Sequence, residues 1–402
     1  MDGVGIEQGG SQVKKKEILI VAHHLTVGGV QKSLLSALKA IDYEKYKVTL
    51  YLRKNRLDLL SLVDENVEVI VNDDKNHYYR KPFSIILQLG IFMCKVLKQN
   101  KGVDILEKRL ADSIRTAMMR YEARKYFCDK TYDIAISYVQ GYTTEFVANY
   151  VNANKKYVFY QVSTDEVHEI HEKAFPHYSK ILVEHEDIKA LLSEWYPSER
   201  DKIEIVENYV DYDVIQKQSE EFEVEKDAQK IAICSCGRFA KVKGFDLGVE
   251  AANVLKNRGK EFIWYMVGDG PEREKMETLI HKYELDNYIK LTGMQKNPYP
   301  YIAKADIFVQ PSYEEALSIA LLEAQMLCVP IVSTKTVGGI TMIRDRIDGI
   351  LVDINVEAMA NGIEELLDDE KMRESLKNEL KKIDYIESRK KYQNRWNELL
   401  GE

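Results

Sequence analysis

Two glutamates eight positions apart, Glu315 and Glu323, stand in the segment PSYEEALSIALLEA (311–324), where the apolar run ADIFVQ gives way to a helical pattern. At 3.6 residues per turn that spacing puts the two side chains within about 80° of each other, so both carboxylates can face one cleft. Ionised carboxylates accept hydrogen bonds, and a pair of them suits the vicinal hydroxyls of ribose or a hexose. Glu323 is flanked by Ile319, Ala320, Leu321, Leu322 and Ala324. A carboxylate on so apolar a helix needs a ligand or a buried partner.

Cations follow another apolar run: IAICSC leads into GRFAKVKGF (237–245), where Arg238 and Lys243 sit close to a helix start. Two cations there can neutralise a diphosphate as a bond to it breaks, a task performed elsewhere by a metal ion; as plain surface charges they would do nothing. Gly28 and Gly29, in TVGGVQ directly after EILIVAHHL, open a helix. Paired glycines let backbone N–H groups and the positive helix end approach a phosphate, although a tight turn would need them as well. In VGDGPE (267–272), Gly268 and Gly270 bracket an acid, with Pro271 near the first helical position. That pattern is equally a structural turn.

Other constellations compete. Asp165, His168 and His171 lie in DEVHEIHE, but the histidines are three apart rather than four, so HExxH is absent. A polar helix lining a cleft fits better than a metal site. Asp211-Tyr-Asp213 spells DxD where the chain changes character. His23 and His24 end the first apolar run, beside the glycine pair. Cys234 and Cys236 share one face of a strand and read as buried thiols.

The elements that must position these residues follow from the alternation of short apolar runs with longer helical segments, which indicates α/β structure with parallel sheets covered on both faces. The alternation runs from Lys16 and restarts at IAICSC. A chain of 402 residues exceeds one core. Expected divisions are a tail (1–15), a first domain (16–206), a charged linker (207–230), a second domain (231–369) and a helical segment (370–402) with no strand of its own, which could return to the first domain.

The net charge of -8 argues against nucleic-acid binding. From Arg80 to Lys130, however, 12 Lys/Arg against 5 Asp/Glu give +7. Such helices could rest on an anionic membrane surface or simply cover the sheet with basic outer faces. The most apolar stretch, Phe83 to Leu97, is interrupted by Gln88, Gly90 and Lys95 and is too short to span a bilayer. Five cysteines without a zinc-type pattern, and no secretory leader, point to a cytoplasmic location, with peripheral attachment to the inner face of the cell membrane as the basic stretch's corollary.

Taken in order, GGVQ, VENYVD, GRFAKVKGF, VGDGPE and EALSIALLE resemble the landmarks of the retaining GT-B glycosyltransferases of family 4, from about residue 16 onward. The resemblance implies two Rossmann-like domains facing a central cleft, and a nucleotide-sugar donor, UDP-sugar before GDP-sugar, whose sugar passes to a glycan or lipid-linked acceptor in surface polysaccharide or glycolipid synthesis. It implies no cofactor and no metal. Gly28 and Gly29 would meet the donor diphosphate from one side, Arg238 and Lys243 from the other, with Gly268 and Gly270 in the donor site. Glu315 and the backbone amides of Leu317 and Ser318 would contact the transferred sugar and phosphate, and Glu323 the ribose hydroxyls. His24, Gln161, Asp165 and His168 are the acceptor-side candidates. Three positions depart from the pattern: Ala316 replaces the usual glycine, Gln161 stands where relatives often carry histidine, and Thr341 replaces a glutamate. Two alternatives stay open: a sugar-nucleotide epimerase on the same fold, which would need acid/base residues in the cleft, and a noncatalytic sugar-nucleotide-binding partner of another transferase, which Gln161 and Thr341 favour.

Overall fold

The computed structural model describes residues 14–72, 101–161, 168–207, 209–225, 229–315 and 318–401. The expected tail therefore lies outside the described residues as far as residue 13, as do residues 80–100 of the basic stretch, Asp165 and Leu317.

The first domain is a seven-stranded sheet, in the order β3-β2-β1-β4-β5-β6-β7. Its strands are β1 (Lys16–Ala22), β2 (Tyr46–Leu52), β3 (Val67–Val71), β4 (Tyr132–Ser137), β5 (Ala153–Tyr160), β6 (Lys180–Val183) and β7 (Ile203–Ile205). Every pairing is parallel, with Ile18 opposite both Val48 and Ile134. The apolar runs are continuous rather than alternating because both faces are covered. Ile18 and Ile20 point into one core, Leu19 and Val21 into the other, all essentially unexposed.

A six-stranded sheet forms the second domain, in the order β10-β9-β8-β11-β12-β13. Here β8 is Ile231–Cys236, β9 Phe262–Val267, β10 Ile289–Gly293, β11 Ile307–Gln310, β12 Ile331–Thr334 and β13 Ile350–Val352. This sheet is parallel throughout as well. In each domain the winding reverses once, between β1 and β4 and between β8 and β11. At such a reversal the loops leaving the carboxyl ends of the two strands diverge and open a crevice. The glycine pair follows β1, Arg238 and Lys243 follow β8, and Glu315 follows β11, so three of the four motifs sit at the two reversals.

The segment 207–230 is not a bare charged tether. Asp211 caps a helix, Tyr212–Ser219, accepting from the N–H groups of Asp213 (3.1 Å) and Val214 (3.4 Å), and Ile215 of that helix is fully buried in the second core. Asp211 also pairs with Lys39 of the first domain and with Arg389, each at 3.3 Å, while Asp213 meets Arg389 at 2.6 Å. The DxD triplet is thus consumed as a cap and a clasp between domains.

Two helices close the chain. Glu370–Leu380 stays with the second domain through Leu376, whereas Tyr385–Gly401 crosses back and buries Trp396, Leu399 and Leu400 in the first core. There the hydroxyl of Tyr157 donates to the carbonyl of Leu399 (3.1 Å). From the basic stretch, the helix Lys101–Phe127 packs Met119 and Phe127 beneath the first sheet. No helix among the described residues is long and apolar enough to cross a membrane.

Candidate active site

A cleft of about 920 Å³ separates the two sheets, at the upper end of the ~300–1,000 Å³ typical of small-molecule sites. Its walls gather His24, Gly28, Gly29 and Gln161 from the first domain with Arg238, Lys243, Gly268, Gly270, Glu315, Ser318 and Glu323 from the second. These residues span most of the chain, and the carboxyl ends of the two parallel sheets bring them together.

Two helix starts meet across the cleft. The helix Gly29–Ala40 begins at Gly28 with no side-chain cap and no acidic residue in its first turn, so its leading N–H groups and positive end are left for a ligand. Opposite it, Ser318 caps the helix Ile319–Met326 by accepting from the Leu321 N–H (3.3 Å). A Cβ at Gly29 would lie 3.3 Å from Ile319 Cγ1, which shows how closely the starts approach and why glycine stands there. Gly268 has a structural duty: it adopts φ +149°, and a Cβ on it would fall 1.9 Å from the Gly237 carbonyl oxygen. The loop after β9 thereby lies flat against the loop after β8, and the Phe239 N–H donates to the Asp269 carbonyl (3.0 Å). That contact fixes the backbone on either side of Arg238.

The two cations differ. Lys243 forms an ion pair with Glu315, whose carboxylate also receives the Gln310 amide at 3.4 Å. Arg238 is exposed to the cleft and has no side-chain partner among the described residues.

Glu323 is only 1% exposed and does have a charged partner, the partly buried Lys32, from the opposite domain. Both Lys32 and the Tyr299 hydroxyl, the latter at 3.0 Å, bind the same oxygen, Oε1. The Lys32 ammonium also stands 4.8 Å above the Tyr299 ring. Burial alone would weaken the ammonium's hold on its proton, but Glu323 and Tyr299 outweigh it and raise the Lys32 pKa above the ordinary lysine value. Beside them, burial pushes the Cys236 thiol up to about 12, so it stays protonated. Lys32 escaped the motif reading, although one signal existed. A lysine in the opening turns of a helix opposes the helix dipole and needs an anion nearby.

On the first-domain wall, His24 Nδ1 lies 3.1 Å from Thr26 Oγ1. Burial, followed by Lys54 and Arg56, lowers its pKa; for His23, burial with Arg53 and Lys54 brings the value to about 4. Glu184 and Arg56 line the same wall and carried no sequence signal. His168 is placed elsewhere. It does not line the cleft, and its Nδ1 lies 2.6 Å from the Tyr196 hydroxyl. His171 is buried, its ring stacked 4.9 Å from that of Phe175, so the two histidines do not converge on a metal. Among the described residues no three His, Cys, Asp or Glu side chains gather as metal ligands.

Residues 216–383 match the family model of glycosyl transferases group 1. The second domain is a group 1 glycosyltransferase domain. Similar curated proteins include the lipopolysaccharide core biosynthesis glycosyltransferase LpsE of Rhizobium meliloti, 32% identical over 36% of this chain and 42% of that one. Another is the N-acetylgalactosamine-N,N'-diacetylbacillosaminyl-diphospho-undecaprenol 4-alpha-N-acetylgalactosaminyltransferase of Campylobacter jejuni, 31% identical over 45% of this chain and 48% of that one. The chain thus spans less than half the length of these relatives. Solved structures match across both domains. HepE of Anabaena in complex with UDP superposes with a TM-score of 0.65 at 13% identity, covering 96% of this chain and 99% of that one. For TarM the TM-score is 0.68 at 13% identity, covering 96% and 100%. The two domains together have the GT-B fold of these structures, and the group 1 match lies on the second domain.

Proposed function

We propose that the chain is a retaining, metal-independent glycosyltransferase that moves a hexose-type sugar from a nucleoside-diphosphate donor, UDP-sugar first, to a glycan or lipid-linked acceptor in surface polysaccharide or glycolipid synthesis. One observation carries this reading: Arg238, without a side-chain partner among the described residues, a lysine and two opposed helix starts converge in one cleft. Such a concentration of positive potential suits a dianionic leaving group. The relatives include a lipopolysaccharide core biosynthesis enzyme and an undecaprenol-linked transferase, which supports the product class, and the UDP held by HepE supports the nucleotide.

On this reading the donor diphosphate lies between the Gly29 helix start and Arg238, and Glu323 accepts the ribose hydroxyls through Oε2. As the bond from the anomeric carbon to the phosphate oxygen breaks, charge grows on that phosphate, and Arg238 and Lys243 stabilise it. The acceptor hydroxyl attacks from the same face and gives its proton to the departing oxygen, so configuration is kept and no protein base is needed. That accommodates Gln161, which can orient a hydroxyl but cannot deprotonate it. His24, its pKa lowered, is neutral near pH 7 and can accept a hydrogen bond from the acceptor.

Incubation with a panel of UDP- and GDP-sugars tests the proposal. One donor should be hydrolysed slowly, releasing its nucleoside diphosphate, and EDTA should leave the rate unchanged. An altered sugar still joined to its nucleotide would indicate an epimerase. Binding without turnover would favour the noncatalytic partner, for which Gln161 is the specific feature. A large loss on adding EDTA would overturn the metal-free mechanism.

A further inference from the structure

We infer that Lys32 is a positioning residue for the donor nucleotide: reaching across the cleft, it holds Glu323 by one carboxylate oxygen and leaves the other to bind ribose. The inference rests on the role proposed above for Glu323. Of that side chain's two oxygens, Oε1 takes both Lys32 and Tyr299, and Oε2 accepts no hydrogen bond among the described residues, although the side chain is 99% buried (1% exposed) and faces the cleft. A buried carboxylate lacking its countercharge would turn away or take up a proton, and either change spoils it as an acceptor for two hydroxyls.

The source of the countercharge matters. Tyr299 belongs to the same domain as Glu323, whereas Lys32 lies 291 positions away on the first-domain helix whose opening turn forms the other wall of the cleft. Lys32 is itself 15% exposed and its position on the helix opposes the dipole, so little besides Glu323 and the Tyr299 ring favours placing its ammonium there. The group that binds the nucleotide is therefore completed only when the first domain is seated, and donor affinity is coupled to the relation of the two domains.

Calorimetric titration of UDP and GDP tests this on the full chain and on Lys32→Met, Lys32→Arg, Glu323→Gln and the Lys32→Met/Glu323→Gln double variant, with circular dichroism to verify folding. For whichever nucleotide the wild-type chain binds, Lys32→Met should raise Kd by about tenfold or more, and Lys32→Arg should restore most of the loss. In the Glu323→Gln background, removing Lys32 should change nothing further. Should Lys32→Met not fold, Lys32→Gln takes its place, with Arg restoring affinity and Gln not. Unchanged affinity on losing Lys32 would overturn the inference and leave the donor reading intact. An undiminished loss in the Glu323→Gln background would overturn it too, because Lys32 would then act on the diphosphate itself. If the wild-type chain binds neither nucleotide, the role of Glu323 falls and the inference falls with it.

Discussion

Arg238 and Glu323 occupy the same cleft but should fail differently when removed. Arg238 is exposed and has no side-chain partner among the described residues, so Arg238→Ala costs the fold little; on the proposed mechanism what it removes is stabilisation of charge that grows as the donor bond breaks. Turnover should fall about 100-fold or more with donor affinity changing far less, read as a split between kcat and Kd. Glu323→Ala should instead weaken nucleotide binding about tenfold or more, and it also leaves the partly buried Lys32 without its anion. Calorimetry beside single-turnover kinetics distinguishes the two. His23 gives a pH prediction. Its pKa is lowered from 6.5 to about 4, mainly by burial, so the unfolded chain binds the extra proton first as pH falls. Stability from this site is complete above pH 6.5 and is lost as the pH drops toward about 4. Denaturant titrations at pH 7 and about 4.5 should show a smaller acid loss for His23→Gln than for wild type, and equal losses would refute the assignment. At this scale the sequence marked single residues of the cleft but not their partners. The apolar neighbours of Glu323 pointed to a ligand or a buried partner, yet Lys32 could not be singled out, because only the meeting of two sheets brings it near.

The strand-to-helix loops are the elements that carry the site, and they were legible because strand ends, glycines and helix starts leave local marks. VGDGPE was ambiguous for a reason the structure makes plain: Gly268 is required by the backbone of Gly237 whether or not a ligand is present. Gly268→Ala must push the two loops apart and should cost about 1–3 kcal/mol of stability, with donor binding weakened because the backbone around Arg238 moves. Thermal unfolding and UDP titration of that variant measure the two effects. His168 misled for the opposite reason. Its loop leaves a cleft-facing strand, but the helix His168–Ala174 turns inward on His171 and Ala174, leaving His168 beside Tyr196. Sequence spacing alone does not tell where a loop deposits the helix that follows it.

The whole molecule is two sheets joined twice, once through the helix Tyr212–Ser219 and once by the return of Tyr385–Gly401 to the first domain. That return was conceivable from the sequence because the last helix has no strand to cover, but its docking place was not, since Trp396 is one apolar side chain among many until the sheet is assembled. Trp396→Ala should cost about 3–5 kcal/mol and lower the unfolding temperature of the first domain, because the side chain is wholly unexposed there. Loss of Arg389, which ties Tyr209, Asp211 and Asp213 together, should loosen the hinge with far less effect on the cores. The proposed function turns on one electrostatic arrangement in the cleft. A crystal structure of the chain with UDP tests that arrangement most directly: the β-phosphate should lie within hydrogen-bond distance of the Arg238 guanidinium and of the N–H groups opening the Gly29–Ala40 helix, with Glu323 Oε2 on the ribose. A diphosphate bound away from Arg238, or a ribose that leaves Glu323 untouched, would contradict the account.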